Sequence, residues 1–314
     1  MVFYQKQYPI LGILITFMTS SIDVCKLIEE RFGYWEDLPS ELICPDSPMT
    51  IMINELPNTN LGVPSEEINF TIDNRHLHAS GPGFYFVVDR HTGTAEVSLE
   101  SKVIKLASFF KRDILGAIIR FLVYSKDRVP LHASTIIRDE TALILYGRSG
   151  SGKSTLSYQL LKSGADILSE SAVFIASKEK YRLWGDVQNI YLRPDAKRIF
   201  PELANYPEKK LPNGKTKIPV QLPVVGTCAQ RRLFFSGPMI MIILERSEDS
   251  HSRLIEINHQ DVIKKLISER ESGFDLSDEF EDTIKHMPVI NTYMLKSGND
   301  LANKAKILES LCRR

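Results

Sequence analysis

Over the first hundred residues the apolar positions fall in short runs separated by polar stretches, a pattern of strands. Ile10-Leu11-Gly12-Ile13-Leu14-Ile15 predicts a buried first strand, and Met49 to Ile53, Asn69 to Leu77 and Phe84 to Asp89 predict more. His91-Thr92-Gly93 is a turn signal that brings Ala95 to Leu99 back as the second arm of a hairpin. Near Ser108 the period lengthens. Phe110, Ile114, Ile118, Phe121 and Leu122 recur at helical spacing, with Ser108 as the expected N-cap and Pro130 beyond the end. Strand spacing then returns in Leu131 to Ile137 and Ala142 to Tyr146, joined by the polar turn Arg138-Asp139-Glu140. Thr155 to Leu161 predicts a helix with Leu156, Leu160 and Leu161 on one face, and Gly164 stands where a C′ glycine ends it. The pattern shows neither a repeat nor a low-complexity segment. It predicts a β-rich region over residues 1–105 and a larger α/β region over 106–314, the boundary falling between residues 100 and 130.

Composition narrows the classes without naming one. The chain of 314 residues is 43% hydrophobic and 25% charged, the profile of a globular protein with room for one large core or two ordinary ones. Lys+Arg and Asp+Glu both number 39, so no global field draws it to nucleic acid or to an anionic membrane. Cys25, Cys44, Cys228 and Cys312 are scattered without a C-x-x-C pair, which argues against a disulfide framework or a structural zinc and fits a reducing compartment. The run from Ile10 to about Met18 superficially resembles a signal-peptide core. It lacks a cleavage pattern and falls short of the roughly 20 residues a spanning helix needs, so a cytoplasmic, non-membrane protein is expected. His76 and His78 alternate on one strand face; without a third ligand at a fixed offset they read as an exposed polar face.

The chemistry enters at Gly147-Arg148-Ser149-Gly150-Ser151-Gly152-Lys153-Ser154-Thr155, which satisfies G-x-x-x-x-G-K-[ST] between a strand and a helix. Glycines let backbone N–H groups close on phosphate oxygens, and the helix N-terminus adds partial positive charge. Lys153 is expected at the β and γ phosphates and Ser154 on magnesium, so the ligand read from the loop is ATP with Mg2+.

A P-loop does not name a reaction, and the carboxylate that works with it must be found. Glu170 follows the loop helix after a short turn, on an expected strand. Glu245 closes the apolar run Met241-Ile242-Ile243-Leu244, the Walker B arrangement, although Arg246, Glu248 and Asp249 beside it suggest a solvated turn.

Leu131-His132-Ala133-Ser134-Thr135-Ile136-Ile137, the loop, and the segment Gly164 to Ile175 together resemble the catalytic domain of HPr serine kinase/phosphorylase. Trp184-Gly185 to Asp195, Asn213-Gly214-Lys215-Thr216-Lys217 and Ile242 to Arg246 follow in similar order, so the resemblance spans about residues 106 to 311. It implies an HPr-kinase-like P-loop domain, a mixed sheet with flanking helices, preceded by a small β-rich region. By it His132 matches the family histidine, and Glu170-Ser171 occupy the positions of an aspartate pair. The loss of the second carboxylate leaves metal affinity and any reverse reaction open, and admits a degenerate kinase. The layout is most similar to a branch that includes kinases of a serine at the C-terminal end of lasso-peptide precursors.

The expectation drawn from residues and resemblance together is an ATP-dependent kinase acting on a serine hydroxyl of a peptide or small protein. Lys153, Glu170 and His132 are its catalytic candidates, and Ser154 with Glu170 its metal candidates. Lys215, in a basic segment from Tyr206 to Lys217, is a candidate acceptor or phosphate contact, while Arg231 and Arg232 read as surface residues. A small-molecule kinase on free serine or a sugar, and a nucleotide-binding regulator, remain alternatives. The family includes ring-shaped oligomers, so a homo-oligomer is also open.

Overall fold

The computed structural model describes residues 3–57, 66–211, 214–222, 227–269, 277–298 and 300–312, with the side chains of 45–47 and 277 left aside. The chain divides into two compact units, Met1–Arg128 and Val129–Arg314, and the helical stretch between residues 101 and 124 belongs to the first.

The first unit is a seven-stranded mixed sheet. In spatial order its strands are Tyr4–Ile10, Ile13–Thr19, Cys44–Leu56, Thr94–Glu100, Phe84–Asp89, His76–Gly81 and Asn69–Ile72. The apolar run at the N-terminus is not one strand but a tight hairpin. Leu11 and Gly12 both take positive φ, 53° and 77°, and Ile10 pairs with Ile13 across the turn. Two left-handed residues match the twist of antiparallel strands, and Gly12 marked the turn inside an otherwise unbroken apolar run. The expected strand Asn69 to Leu77 is likewise two, because Asp73 Oδ1 accepts the backbone N–H groups of Arg75 and His76, each at 2.7 Å, and folds a turn between them. His76 and His78 lie on the resulting strand. His76 is 3.5 Å from Asp73 and 3.8 Å from Asp89, and no metal-holding group of His, Cys, Asp or Glu occurs among the described residues. Ser108 is not a cap: helix begins at Ala107, runs through a wider turn over Phe110–Ile114 and continues to Tyr124. Its side chains Phe109, Phe110, Ile114 and Ile118 are buried, so packing sets the start of the helix in the absence of a capping hydroxyl.

The second unit is a mixed α/β fold. Its principal sheet runs Asp166–Ser169, Ala133–Arg138, Thr141–Tyr146, Met239–Arg246, Val289–Ser297, Arg253–Glu256 in spatial order. Thr141–Tyr146 and Met239–Arg246 are parallel neighbours at the centre. Both faces are covered, which is why Ala142 to Tyr146 reads as a continuous apolar run. Leu143 and Leu145 pack with Leu156, Leu160 and Leu308 on one side, against the helices Lys153–Lys162 and Leu301–Cys312. Ala142, Ile144 and Tyr146 pack with Val262, Leu266, Phe280 and Ile284 on the other, against His259–Ser268 and Ser277–His286. A four-stranded sheet (Phe234–Phe235, Arg182–Gly185, Val173–Ala176, Val129–Leu131) and a three-stranded one (Asn189–Leu192, Thr216–Gln221, Lys209–Lys210) complete the unit. Among the described residues no helix is long and apolar enough to cross a membrane.

Candidate functional site

The strand Thr141–Tyr146 delivers the loop 147–152 to the N-terminus of Lys153–Lys162. Gly150 and Gly152 have φ of 90° and 99°, values that side chains resist and that turn the backbone of the loop. The helix itself ends as its composition predicts. Gly164 takes φ 90°, its N–H reaches Leu161 O at 3.0 Å, and Ala165 N–H reaches Leu160 O at 3.1 Å. Lys153 is buried and donates to the carbonyls of Gly147 and Arg148. Its ammonium thus lies folded against the loop that phosphates would enter.

Ser154 Oγ donates to Glu170 Oε1 at 2.7 Å. Of the two carboxylates read from the sequence, the structure brings Glu170 to the helix N-terminus. Glu245 lies at the end of the strand parallel to the loop strand, in register with Lys296. Glu170 does not sit on a strand. Asp166–Ser169 ends one residue earlier in the principal sheet, and Val173–Ala176 begins the passage through the four-stranded sheet, so Glu170 lies where the chain crosses between sheets. The expected strand Leu131 to Ile137 is broken in the same way. Val129–Leu131 pairs in the four-stranded sheet, Ala133–Arg138 pairs in the principal one, and partly buried His132 is the joint. The register of these strands sets residues 170–172 opposite residues 132–134, since Ser169 pairs with Thr135 and Val173 with Leu131.

Three buried hydroxyls fasten that crossing. Ser134 Oγ and Ser157 Oγ are 2.7 Å apart, Ser134 Oγ donates to Ser169 O at 3.0 Å, and Ser169 Oγ donates to Ala133 O at 3.1 Å. They tie the loop helix to both strands that lead to His132 and Glu170. Burial pushes the Glu170 carboxyl above its ordinary range, while hydrogen bonds from Ser154 and the Tyr191 backbone N–H and the charges of Lys217 and Lys153 oppose the shift.

Lys215 also comes to the loop, its Nζ 3.4 Å from Ser149 Oγ. Among the described residues of its basic segment the strands are Lys209–Lys210 and the start of Thr216–Gln221, and Asn213 lies outside the described residues. Arg232, partly buried, pairs with Asp166 at 3.1 Å and Glu140 at 3.5 Å, and the backbone of Arg231, also partly buried, bridges to Ile167. Arg193, not singled out in the sequence, also meets the loop, and Lys217, read there only as part of the basic segment, comes to Glu170. The guanidinium of Arg193 stands 2.7 Å from where a Cβ on Gly150 would be, and Lys217 interacts with Glu170 through its charge. The signal was present in Leu192-Arg193-Pro194, a basic residue leaving a strand directly before a helix-starting proline, but nothing local says where that strand points.

The residues present fit a triphosphate and a divalent cation. Ser151 Oγ is buried in the loop without a hydrogen-bond partner among the described residues, as befits a donor awaiting an anionic oxygen. Ser154 and Glu170 offer the hard oxygen ligands that magnesium takes.

No family model matches the chain, and no curated protein matches it. Among solved structures it is similar to the Hpr(Ser) kinase/phosphatase from Coxiella burnetii, at 14% identity over 59% of this chain and 88% of that one, with a TM-score of 0.29.

Proposed function

We propose that the chain is an ATP-dependent kinase that transfers the γ-phosphate to a serine hydroxyl of a peptide or small protein. The observation that carries this reading is the 2.7 Å contact between Ser154 and Glu170 at the N-terminus of the P-loop helix, with Lys153 buried beside it. Loop amides, Lys153 and the Ser151 hydroxyl hold the phosphates. Ser154 and Glu170 would hold magnesium, which when bound neutralises phosphate charge. In the reaction the serine oxygen forms a bond to the γ-phosphorus as the bond to the bridging β,γ oxygen breaks, ADP leaves, and the hydroxyl proton passes to Glu170. His132 lies on the neighbouring crossing and acts as donor to the γ-phosphate or as proton relay. Phosphoryl transfer asks little more of a protein than such positioning and charge.

The acceptor class comes from the resemblance of the segments around the loop, and a lasso-peptide precursor with a C-terminal serine is the first acceptor to try. The test is transfer of label from γ-labelled ATP with magnesium to that peptide and to host peptide and metabolite fractions, with Lys153→Ala and Glu170→Gln as controls. Label in a peptide, lost in both controls, supports the kinase. Label confined to small molecules points to a metabolite kinase. Tight ATP binding without transfer to any acceptor points to a nucleotide-dependent regulator.

A further inference from the structure

The three-stranded sheet of the second unit holds three cations near the loop that the reaction above leaves unused. Its apolar positions Ile190, Leu192, Ile218 and Val220 lie in the same core as Leu156 and Leu160 of the P-loop helix. The sheet is thereby held against the helix, and its polar side chains have fixed places. Lys217 Nζ donates to Tyr191 O at 3.4 Å, while the Tyr191 N–H donates to Glu170, so one strand residue links the lysine and the carboxylate. From the end of the same strand Arg193 packs on Gly150, where an added Cβ would stand 2.7 Å from Nη2. Lys215 reaches Ser149 Oγ at 3.4 Å. Positive charge therefore closes on residues 149–150, in the middle of the loop, from an element other than the loop and its helix.

Gathering these cations is costly. Burial lowers the pKa of Lys217, Glu170 opposes that shift, and the charges of Arg193 and Lys215 add to it. Arg193 makes no ion pair with a carboxylate among the described residues. A cluster of like charges that repel one another, anchored by apolar packing and turned toward a phosphate-type loop, is stabilised by an anion arriving between them.

We propose that Arg193, Lys215 and Lys217 form a second anion subsite that takes the terminal phosphate of the bound nucleoside triphosphate. This rests on the P-loop reading above and deepens it: Lys153 and the loop amides hold the nucleotide, and the three-stranded sheet senses whether its last phosphate is present. Arg193 then serves as a cationic group supplied by the chain itself to the charge that develops on the transferred group, a role that in other P-loop enzymes falls to an arginine. Gly150 is glycine because of its φ of 90°, and the guanidinium of Arg193 lies against it.

The test compares the affinity of the full chain for ADP and for a non-hydrolysable ATP analogue, each with magnesium, by titration calorimetry. The unmutated protein, Arg193→Ala, Lys217→Met and Arg193→Lys are measured, each with its melting temperature. Loss of one charge-assisted contact should weaken the analogue by about tenfold or more in Arg193→Ala and in Lys217→Met, with ADP affinity within about twofold of the unmutated protein. Arg193→Lys should recover part of the loss. Unchanged analogue affinity in both variants, or equal loss for analogue and ADP in Arg193→Ala with an unchanged melting temperature, would overturn the subsite. Arg193 is exposed, so its variant decides if Lys217→Met proves unstable. An unmutated protein that binds neither nucleotide would instead sink the P-loop reading on which the subsite rests.

Discussion

Glu170 is a residue placed at a cost to the fold. Its ionised form is penalised by burial, and the bonds from Ser154 and Tyr191 recover part of the penalty. An acid with a raised folded-state pKa binds more protons folded than unfolded between its two pKa values, so stability falls as pH rises through that window. Glu170→Gln removes the charge while keeping an oxygen to accept those bonds. The variant should therefore melt higher than the unmutated protein at neutral pH. The difference should shrink as pH is lowered into the ordinary carboxylate range, as thermal denaturation across pH would show. A lower melting temperature at neutral pH would mean that the charge is stabilising and the assigned direction wrong. The residue that makes the site work is thus expected to weaken the structure around it.

At the scale of elements the site depends on two strand crossings held by hydroxyl groups. Ser134 and Ser157 are each fully buried and bonded to one another, so removing Ser134 strands Ser157, whereas Ser134 keeps its bond to Ser169 O when Ser157 is removed. Ser134→Ala should cost about 1–3 kcal/mol in denaturant unfolding and Ser157→Ala less, with the double variant below the sum of the singles. Additive losses would show that the pair does not act as a unit. Gly164 provides a contrast outside the site. An alanine there would meet Arg138 Nη1 at 3.5 Å, ordinary contact, so Gly164→Ala should cost roughly 1–2 kcal/mol from φ alone and leave nucleotide affinity unchanged. Elements governed by local chemistry were legible: the loop helix, its glycine stop and the central strand Ala142–Tyr146 follow from spacing and turn residues. The crossings were not, because Leu131 to Ile137 keeps strand spacing through His132 while its pairing partner changes from one sheet to another. The same blindness hid the Leu11-Gly12 hairpin, where apolar residues continue through the turn.

For the whole molecule, the sequence separated what lies near the loop from what reaches it across distance. The P-loop, Ser154 and Lys215 could be read from a motif and from order along the chain. Arg193 could not, and Lys217 only as one lysine of the basic segment, since their places are set by Ile190, Leu192, Ile218 and Val220 packing in one core with the P-loop helix, a tertiary fact. All of these residues, from His132 to Lys217, belong to the unit Val129–Arg314. That unit has apolar cores on both faces of its principal sheet, built from its own side chains. The first unit has its own seven-stranded sheet and supplies none of the residues assigned to the phosphates. A chain beginning at Val129 should accordingly fold cooperatively and bind the ATP analogue within about threefold of the full protein, a difference under 1 kcal/mol. If residues 1–128 serve to recognise the acceptor, the shortened chain should lose transfer to peptide while keeping that affinity. Calorimetry and the labelled-transfer assay on the same preparation separate the two. Folded protein with lost analogue binding would place part of the nucleotide site in the first unit, and full peptide transfer without residues 1–128 would remove acceptor recognition from it.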